Sequence, residues 1–304
     1  MALYSFSAST GSKSGGSSAR AHIDYISREG KYKNTKSEED LIIVESGNLP
    51  KFVNNNPSEF WKSADNKSSA NATVYRDFRL SLQNELSIND NIKLVREFIK
   101  SELADKHTYT FAVHNTKTLD GKNTNPHVHI TFSDTINDGI NRTKEKHFSR
   151  VNKKYPERGG SEKSRYYHTQ TNKGEGLKNA RENWANLVNA KFKENGIDKI
   201  ISHLSLKKRG INRESEQKLS SKEVDIYKRE TKRLSPEQLE TYNQTSRVGQ
   251  VLEMREAKQL AHKMDEYQKI RNEIKAYKTR ESLNKKSAQK ARSGSKRGRN
   301  DMER

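Results

Sequence analysis

Apolar residues recur along this chain with two periods, and the change from one to the other marks its elements. Leu3–Ala8 alternates large and small side chains, as a short strand does. A Gly/Ser stretch from Ser9 to Ser18 predicts a loop. Ala19–Glu29 then reads as a helix stopped by Gly30. Leu41–Val44 is a compact apolar run, expected as a strand. Pro57 suits the first position of a helix carrying Phe60 and Trp61. Val74–Leu82 alternates again, with Val74, Phe78, Leu80 and Leu82 on one face and Tyr75 on the other. From Asn91 to Leu103 the spacing turns helical through Ile92, Leu94, Val95, Phe98, Ile99 and Leu103. Two further strands, Tyr109–His114 and His127–Ser133, flank a polar loop at Asn115–Asn125. Gly176–Asn195 is a second amphipathic helix with Trp184, Leu187, Val188 and Phe192, closed by Gly196.

Beyond Ile211 large apolar residues thin out and Lys, Arg, Glu and Gln replace them. Ser235-Pro236-Glu237-Gln238 is a helix start, with a capping serine and proline in the first turn. It predicts one charged helix reaching about Lys278. The expected organisation is an α+β domain over 1–211, in which short strands and helices interleave with a hairpin-like pair. A charged helical region over 212–284 and a disordered basic tail over 285–304 would follow.

Composition narrows the function. Of 304 residues, 59 are Lys or Arg and 39 Asp or Glu, a formal charge of +20. A surplus that large favours a polyanionic partner, of which nucleic acid is the usual one. With no cysteine, disulfides, thiolate catalysis and cysteine-based metal sites are excluded. No apolar run approaches the roughly 20 residues that span a bilayer, and the first residues do not read as a signal peptide. A cytoplasmic protein without stable membrane insertion is expected.

The sharpest chemical feature is Asn125-Pro126-His127-Val128-His129-Ile130-Thr131-Phe132. Histidines two apart on a strand share a face, so their rings can converge on one ion. His114 ends the preceding predicted strand and completes a three-histidine set if the two strands pair antiparallel. Three neutral imidazoles with open positions form a catalytic rather than a closed structural geometry. With a polyanion as partner, the open positions suit a phosphate oxygen. A tyrosine could then attack, since its aryl phosphate ester keeps the cleavage reversible, although tyrosine normally titrates near 10 and its ionised form would need support. Spacing does not choose among twelve tyrosines. Tyr25 is the best placed, because His22 and Glu29 lie three and four residues away on its helix.

The opening from Met1 through Ser14-Gly15-Gly16-Ser17-Ser18-Ala19-Arg20-Ala21-His22-Ile23-Asp24-Tyr25 to Tyr32 resembles the MobA/MobL family of plasmid mobilisation relaxases, the MobQ class. So do Glu45-Ser46-Gly47-Asn48-Leu49-Pro50, the Asn125–His129 motif and Ile136-Asn137-Asp138-Gly139-Ile140. The resemblance covers about residues 1–211. It implies an HUH-type relaxase fold, a central antiparallel sheet with flanking helices, with metal on the sheet and the nucleophile on a helix above it. It also implies that Tyr25 attacks the scissile phosphate and that His114, His127 and His129 hold a divalent cation, Mg²⁺ or Mn²⁺. On the strand at Val74–Leu82, relatives often carry two acids. Here Asp77 fits the first, as an orienter of a metal-bound histidine, and Arg79 stands at the second. Asp77, Glu29 and His22 are the candidate orienters or bases. Lys13, Arg20, Arg28, Lys31 and Tyr32 are the expected DNA contacts, mixing phosphate neutralisation with base stacking.

The expected activity is metal-dependent, strand-specific nicking at a transfer origin, leaving a 5′-phosphotyrosyl intermediate that is later rejoined. Expected partners are single-stranded plasmid DNA, relaxosome accessory proteins and a coupling protein. The alternatives are a rolling-circle replication initiator with the same chemistry, or a non-catalytic single-strand-binding protein.

Overall fold

The computed structural model describes residues 4–33, 40–118, 124–170, 172–212, 217 and 219–300. The chain divides into two compact units, Met1–Glu214 and Ser215–Arg304.

The first unit is built on five strands: β1 (Phe6–Ser12), β2 (Leu41–Gly47), β3 (Thr73–Ser81), β4 (His107–Lys117) and β5 (Thr124–Ile136). Every pairing is antiparallel, in the order β1-β3-β5-β4-β2. The helices are α1 (Ala19–Ile26), α2 (Pro57–Lys67), α3 (Ile88–Glu102), the single turn α4 (Lys144–His147) and α5 (Glu175–Glu194). The central strand β5 separates two cores by alternation. Val128, Ile130 and Phe132 point to the larger core, with Phe98 of α3 and Trp184, Val188 and Phe192 of α5. The opposite face meets α1 and α2, where Ile23, Ile26, Phe60 and Trp61 pack on Ala112 of β4. A strand buried on both sides reads as an unbroken apolar run. The polar residues alternating along β5 therefore need a reason beyond packing.

Several expected boundaries moved. The first strand begins at Phe6 and runs through Ser9–Ser12, in the stretch expected as loop. As an edge strand it is held by backbone pairing to β3, which asks little of its side chains. Asn115–Lys117 and Thr124–Asn125, expected as loop, lengthen β4 and β5; residues 119–123 lie outside the described set. α1 stops at Ile26, three residues early, because Arg28 adopts a left-handed conformation (φ 57°). The amide of Glu29 then donates to the Asp24 carbonyl at 2.8 Å, the bond that closes a helix C-terminus in this way.

The second unit contains α6 (Ser221–Thr231), α7 (Pro236–Thr245) and α8 (Arg247–Asn300). The single helix expected from Ser235 is broken at Ser246, which is extended (φ −86°, ψ 140°) and whose hydroxyl accepts from the Gly249 amide at 3.1 Å. A Cβ at Gly249 would lie 2.2 Å from the Asn243 Cα, so glycine is what lets α7 and α8 meet this closely. The tail expected to be disordered over 285–304 is helical as far as Asn300, and 301–304 lie outside the described residues. Elongating an existing helix adds a hydrogen bond per residue without a new nucleation cost.

Candidate functional site

On the α1 side of the sheet, β4 and β5 pair with His114 directly opposite His127, and His129 lies two residues further along the same face. The three rings form a nearly equilateral triangle. His114 and His127 lie 5.4 Å apart between centroids, His127 and His129 5.6 Å, and His114 and His129 5.8 Å. The three rings thus cluster on one face of the sheet. His127 donates its Nδ1–H to the Asn125 carbonyl at 2.8 Å, and His129 donates its Nδ1–H to Asp77 Oδ2 at 3.2 Å. Each bond assigns the proton to Nδ1 and leaves Nε2 as the lone-pair nitrogen, the arrangement a metal-binding histidine needs. Burial pushes the His127 pKa down to about 4, only partly opposed by the bond to Asn125. Its ring is therefore neutral at physiological pH.

Asp77, on β3, is the hub beneath these rings. Its Oδ2 accepts from His129, and its Oδ1 accepts from the Thr131 hydroxyl at 3.0 Å and from His22 Nε2–H at 3.2 Å. Burial raises its pKa, but the hydrogen bonds from His129 and His22 outweigh burial and hold the carboxyl well below the usual range. His22, Asp77 and His129 have ligand atoms all within 4.8 Å of one another, a group that could itself hold a metal ion. The two candidate sets share His129. In this second set the short distances are hydrogen bonds around one carboxylate, so Asp77 sits where it orients both His129 and His22.

α1 carries His22 and Tyr25 over this face. Asp65 of α2 fixes its start, its carboxylate accepting from the Ser18 hydroxyl (2.7 Å) and from the amides of Ala19 (2.7 Å) and Arg20 (3.0 Å). A negative charge on a helix N-terminus satisfies otherwise orphaned amides. His22 stacks on Tyr75 at 4.4 Å, their planes 6° apart. Gly11 on β1 makes room for that ring, since a Cβ there would lie 2.1 Å from Tyr75 Cε1. One turn on, the Tyr25 ring is half-buried, edge to face with Tyr32 at 5.3 Å.

Arg28 joins the helix of Tyr25 to the histidine cluster. Nη1 donates to the Tyr25 carbonyl at 2.8 Å, Nη2 donates to His114 Nδ1 at 3.2 Å, and the guanidinium carbon sits 5.5 Å from the Tyr25 ring centre. Expected on a basic surface, Arg28 is instead 7% exposed. The left-handed turn at Arg28 itself turns its side chain inward.

The remaining expected residues are spread around this centre. Glu29 is exposed beyond the end of α1 and does not share the face of Tyr25. Lys13 is exposed and bonds the Ser68 carbonyl at 3.1 Å. Arg20 pairs with Asp24 at 2.8 Å, and the exposed Lys31 lies 5.1 Å from the Tyr32 ring centre. Asp65, Tyr75 and Gly11 were missed, because their roles arise from packing between segments far apart in sequence. Arg79 is exposed and directly across β3–β5 from His129. There it places a cation at the rim of the site.

A model of the MobA/MobL family matches residues 10–229. The chain belongs to the MobA/MobL family. It is 40% identical over 214 residues to the 43 kDa relaxation protein of Salmonella typhimurium, covering 70% of this chain and 57% of that protein. It is 38% identical over 214 residues to Mobilization protein A of Escherichia coli, covering 70% of this chain and 28% of that one. The chain thus spans little more than half, or less, of the length of these curated relatives. A solved structure described as "Molecular Basis of Vancomycin Resistance Transfer in Staphylococcus aureus" aligns with a TM-score of 0.46 and 23% identity, over 67% of this chain and 99% of that one.

In this MobA/MobL chain, two of the motifs that carried the resemblance hold the scaffold. Gly47 lies under Tyr109, where a Cβ would meet the phenol oxygen at 2.4 Å. Asn48, left-handed at φ 54°, donates to the carbonyls of Ala104 and His107. Asp138 takes both ends of the Arg142 guanidinium at 2.6 and 2.9 Å, while Arg142 also reaches the carbonyls of Gly159 and Pro156. No helix among the described residues is long and apolar enough to cross a membrane.

Proposed function

We propose that this chain is a plasmid mobilisation relaxase that nicks one DNA strand at a transfer origin with Tyr25 as nucleophile. The observation that carries the reading is the Arg28 bridge, which ties the backbone of Tyr25 to His114 of the three-histidine cluster. A binding protein that only coats DNA has no use for a tyrosine helix anchored to converging imidazoles.

A divalent cation held by His127 and His129 through Nε2, and by His114 once the Nε2 proton that the Arg28 contact to its Nδ1 places there is released, would neutralise charge on a phosphate oxygen. Imidazole nitrogens favour Mn²⁺ over Mg²⁺ as its identity. The chain's own residues do the rest. The Tyr25 oxygen attacks phosphorus and gives up its phenol proton, the P–O bond to the 3′ side breaks, and that proton passes through water to the 3′ oxygen, which leaves as a hydroxyl. The 5′ side stays esterified to Tyr25, so the energy of the broken bond is kept and rejoining needs no other source. The Arg28 guanidinium, 5.5 Å from the Tyr25 ring centre, sets a cation beside the attacking residue. Asp77 fixes the His129 ring, and His22 joins that carboxylate to α1. Arg79 and Lys31 meet flanking phosphates, and Tyr32 offers a stacking face to a base.

The test is incubation with a single-stranded oligonucleotide spanning the plasmid's own transfer origin, with Mn²⁺ or Mg²⁺ and then with EDTA, on a denaturing gel. A metal-dependent covalent adduct that maps to Tyr25 and vanishes in Tyr25→Phe, with non-covalent binding retained, is expected. Binding with no adduct on an oligonucleotide known to contain the nick site, or an adduct that survives in Tyr25→Phe, overturns it. Mobilisation of an origin-bearing plasmid in trans, without autonomous replication, separates a relaxase from a replication initiator.

A further inference from the structure

α8 presents a row of large apolar side chains that nothing described in its own unit covers. Leu260, Tyr267, Ile270, Ile274 and Tyr277 are each more than half exposed. Leu260, Tyr267 and Ile274 are spaced by seven residues, and so are Ile270 and Tyr277, three residues after Tyr267 and Ile274. These are the first and fourth positions, a and d, of consecutive heptads, and they form one stripe along the helix. Lys263 takes the first fourth position, a polar residue of the kind that sets register at a cost in stability. Earlier in α8 the apolar residues Val248 and Val251 are buried, so the helix turns from a packed segment to an uncovered one. A single helix in water gains little from such a stripe and is stabilised mainly by packing it.

We infer that a second copy of this chain covers the stripe, through a parallel two-stranded coiled coil of α8 over about residues 260–278. The charges beside the stripe select both partner and direction. Glu266 and Glu273 occupy the g positions, and Arg271 and Lys278 the e positions. In a parallel pair, each g residue faces the e residue five places further on in the partner. Glu266 then meets the partner's Arg271, Glu273 the partner's Lys278, and symmetry repeats both. In an antiparallel pair over the same stretch g faces g and e faces e, which sets Glu266 against the partner's Glu273 and leaves Arg271 facing a methionine. The same helix is therefore complementary to itself in one direction and repelled in the other. Within one chain, the contact of Glu266 is a 3.7 Å approach to His262, on the helix surface. This inference stands independently of the nicking chemistry.

The test uses the full chain. Light scattering after size exclusion should give the mass of a dimer that dissociates on dilution. Ile270→Lys with Ile274→Lys should give a monomer in which thermal unfolding of the first unit is unchanged, because neither side chain belongs to its cores. Two charge variants, Glu266→Lys/Glu273→Lys and Arg271→Glu/Lys278→Glu, should each be monomeric alone and pair with each other when mixed. The absence of native cysteine makes a direction test clean: Ile270→Cys should form an intermolecular disulfide under mild oxidation. A monomeric wild-type chain at high concentration, a dimer indifferent to Ile270→Lys/Ile274→Lys, or charge variants that do not complement each other would each overturn the inference. A dimer in which Ile270→Cys fails to cross-link would overturn the parallel pairing.

Discussion

Arg28 Nη2 lies 3.2 Å from Nδ1 of His114, so the turn that ends the helix of Tyr25 is tied to the histidine cluster on the sheet. Arg28 occupies a left-handed backbone position, where a non-glycine residue costs roughly 1–2 kcal/mol. The side-chain contacts must offset that cost.

Arg28→Gly separates the backbone from the guanidinium. Glycine accepts the left-handed position without strain, so the melting temperature should stay close to that of the unmodified chain. The rate of adduct formation should fall about 100-fold, the size of effect expected when a charged group is withdrawn from a reacting centre. An unchanged rate would show that Arg28 serves only the fold.

Asp77→Asn keeps shape but weakens the acceptor shared by His129, His22 and Thr131. Loss of such an orienter typically costs 10- to 100-fold, on the order of one to two decades, in metal affinity. Mn²⁺ titration followed by electron paramagnetic resonance measures this without DNA. Wild-type affinity would remove Asp77 from the site.

Gly11→Ala places a methyl group into the Tyr75 ring and should destabilise the chain by about 1–3 kcal/mol in urea unfolding, as overpacking does. Tyr75→Leu in the same chain should recover most of that loss. No recovery would mean that the clash is not with Tyr75.

His147 packs against Phe52, Phe60 and Phe148, and burial lowers its pKa from 6.5 to about 4. The unfolded chain therefore takes up this proton first, and the folded state loses stability as pH falls from 6.5 towards 4. Above 6.5 the group contributes no pH dependence. His147→Phe should flatten the stability profile in that window, by up to about 3 kcal/mol at its acid end. Urea midpoints across the window measure it, and an unaltered slope would place the acid sensitivity elsewhere.

Residues 127–129 show how much local pattern can determine. Alternation on a single strand puts both histidines on one face whatever the rest of the chain does, because the side-chain period of a strand is two. The third histidine needed only antiparallel pairing of neighbouring strands, which the register bears out with His114 opposite His127. The helices carrying Phe98 and Trp184 were legible for the same reason, since a period of 3.6 is written into consecutive residues.

What the sequence by itself determined was therefore the type of the long elements of the first unit, the face on which the histidines stand, and the family. What only the tertiary structure decided was which distant residues serve them. Asp65 caps α1 from 46 residues away in sequence, Gly11 clears space for a ring on another strand, and Arg28 turns inward because α1 ends at Ile26. None of these follows from a period. Each depends on strand order and on how two segments approach, and a local pattern carries no information about what will pack against it.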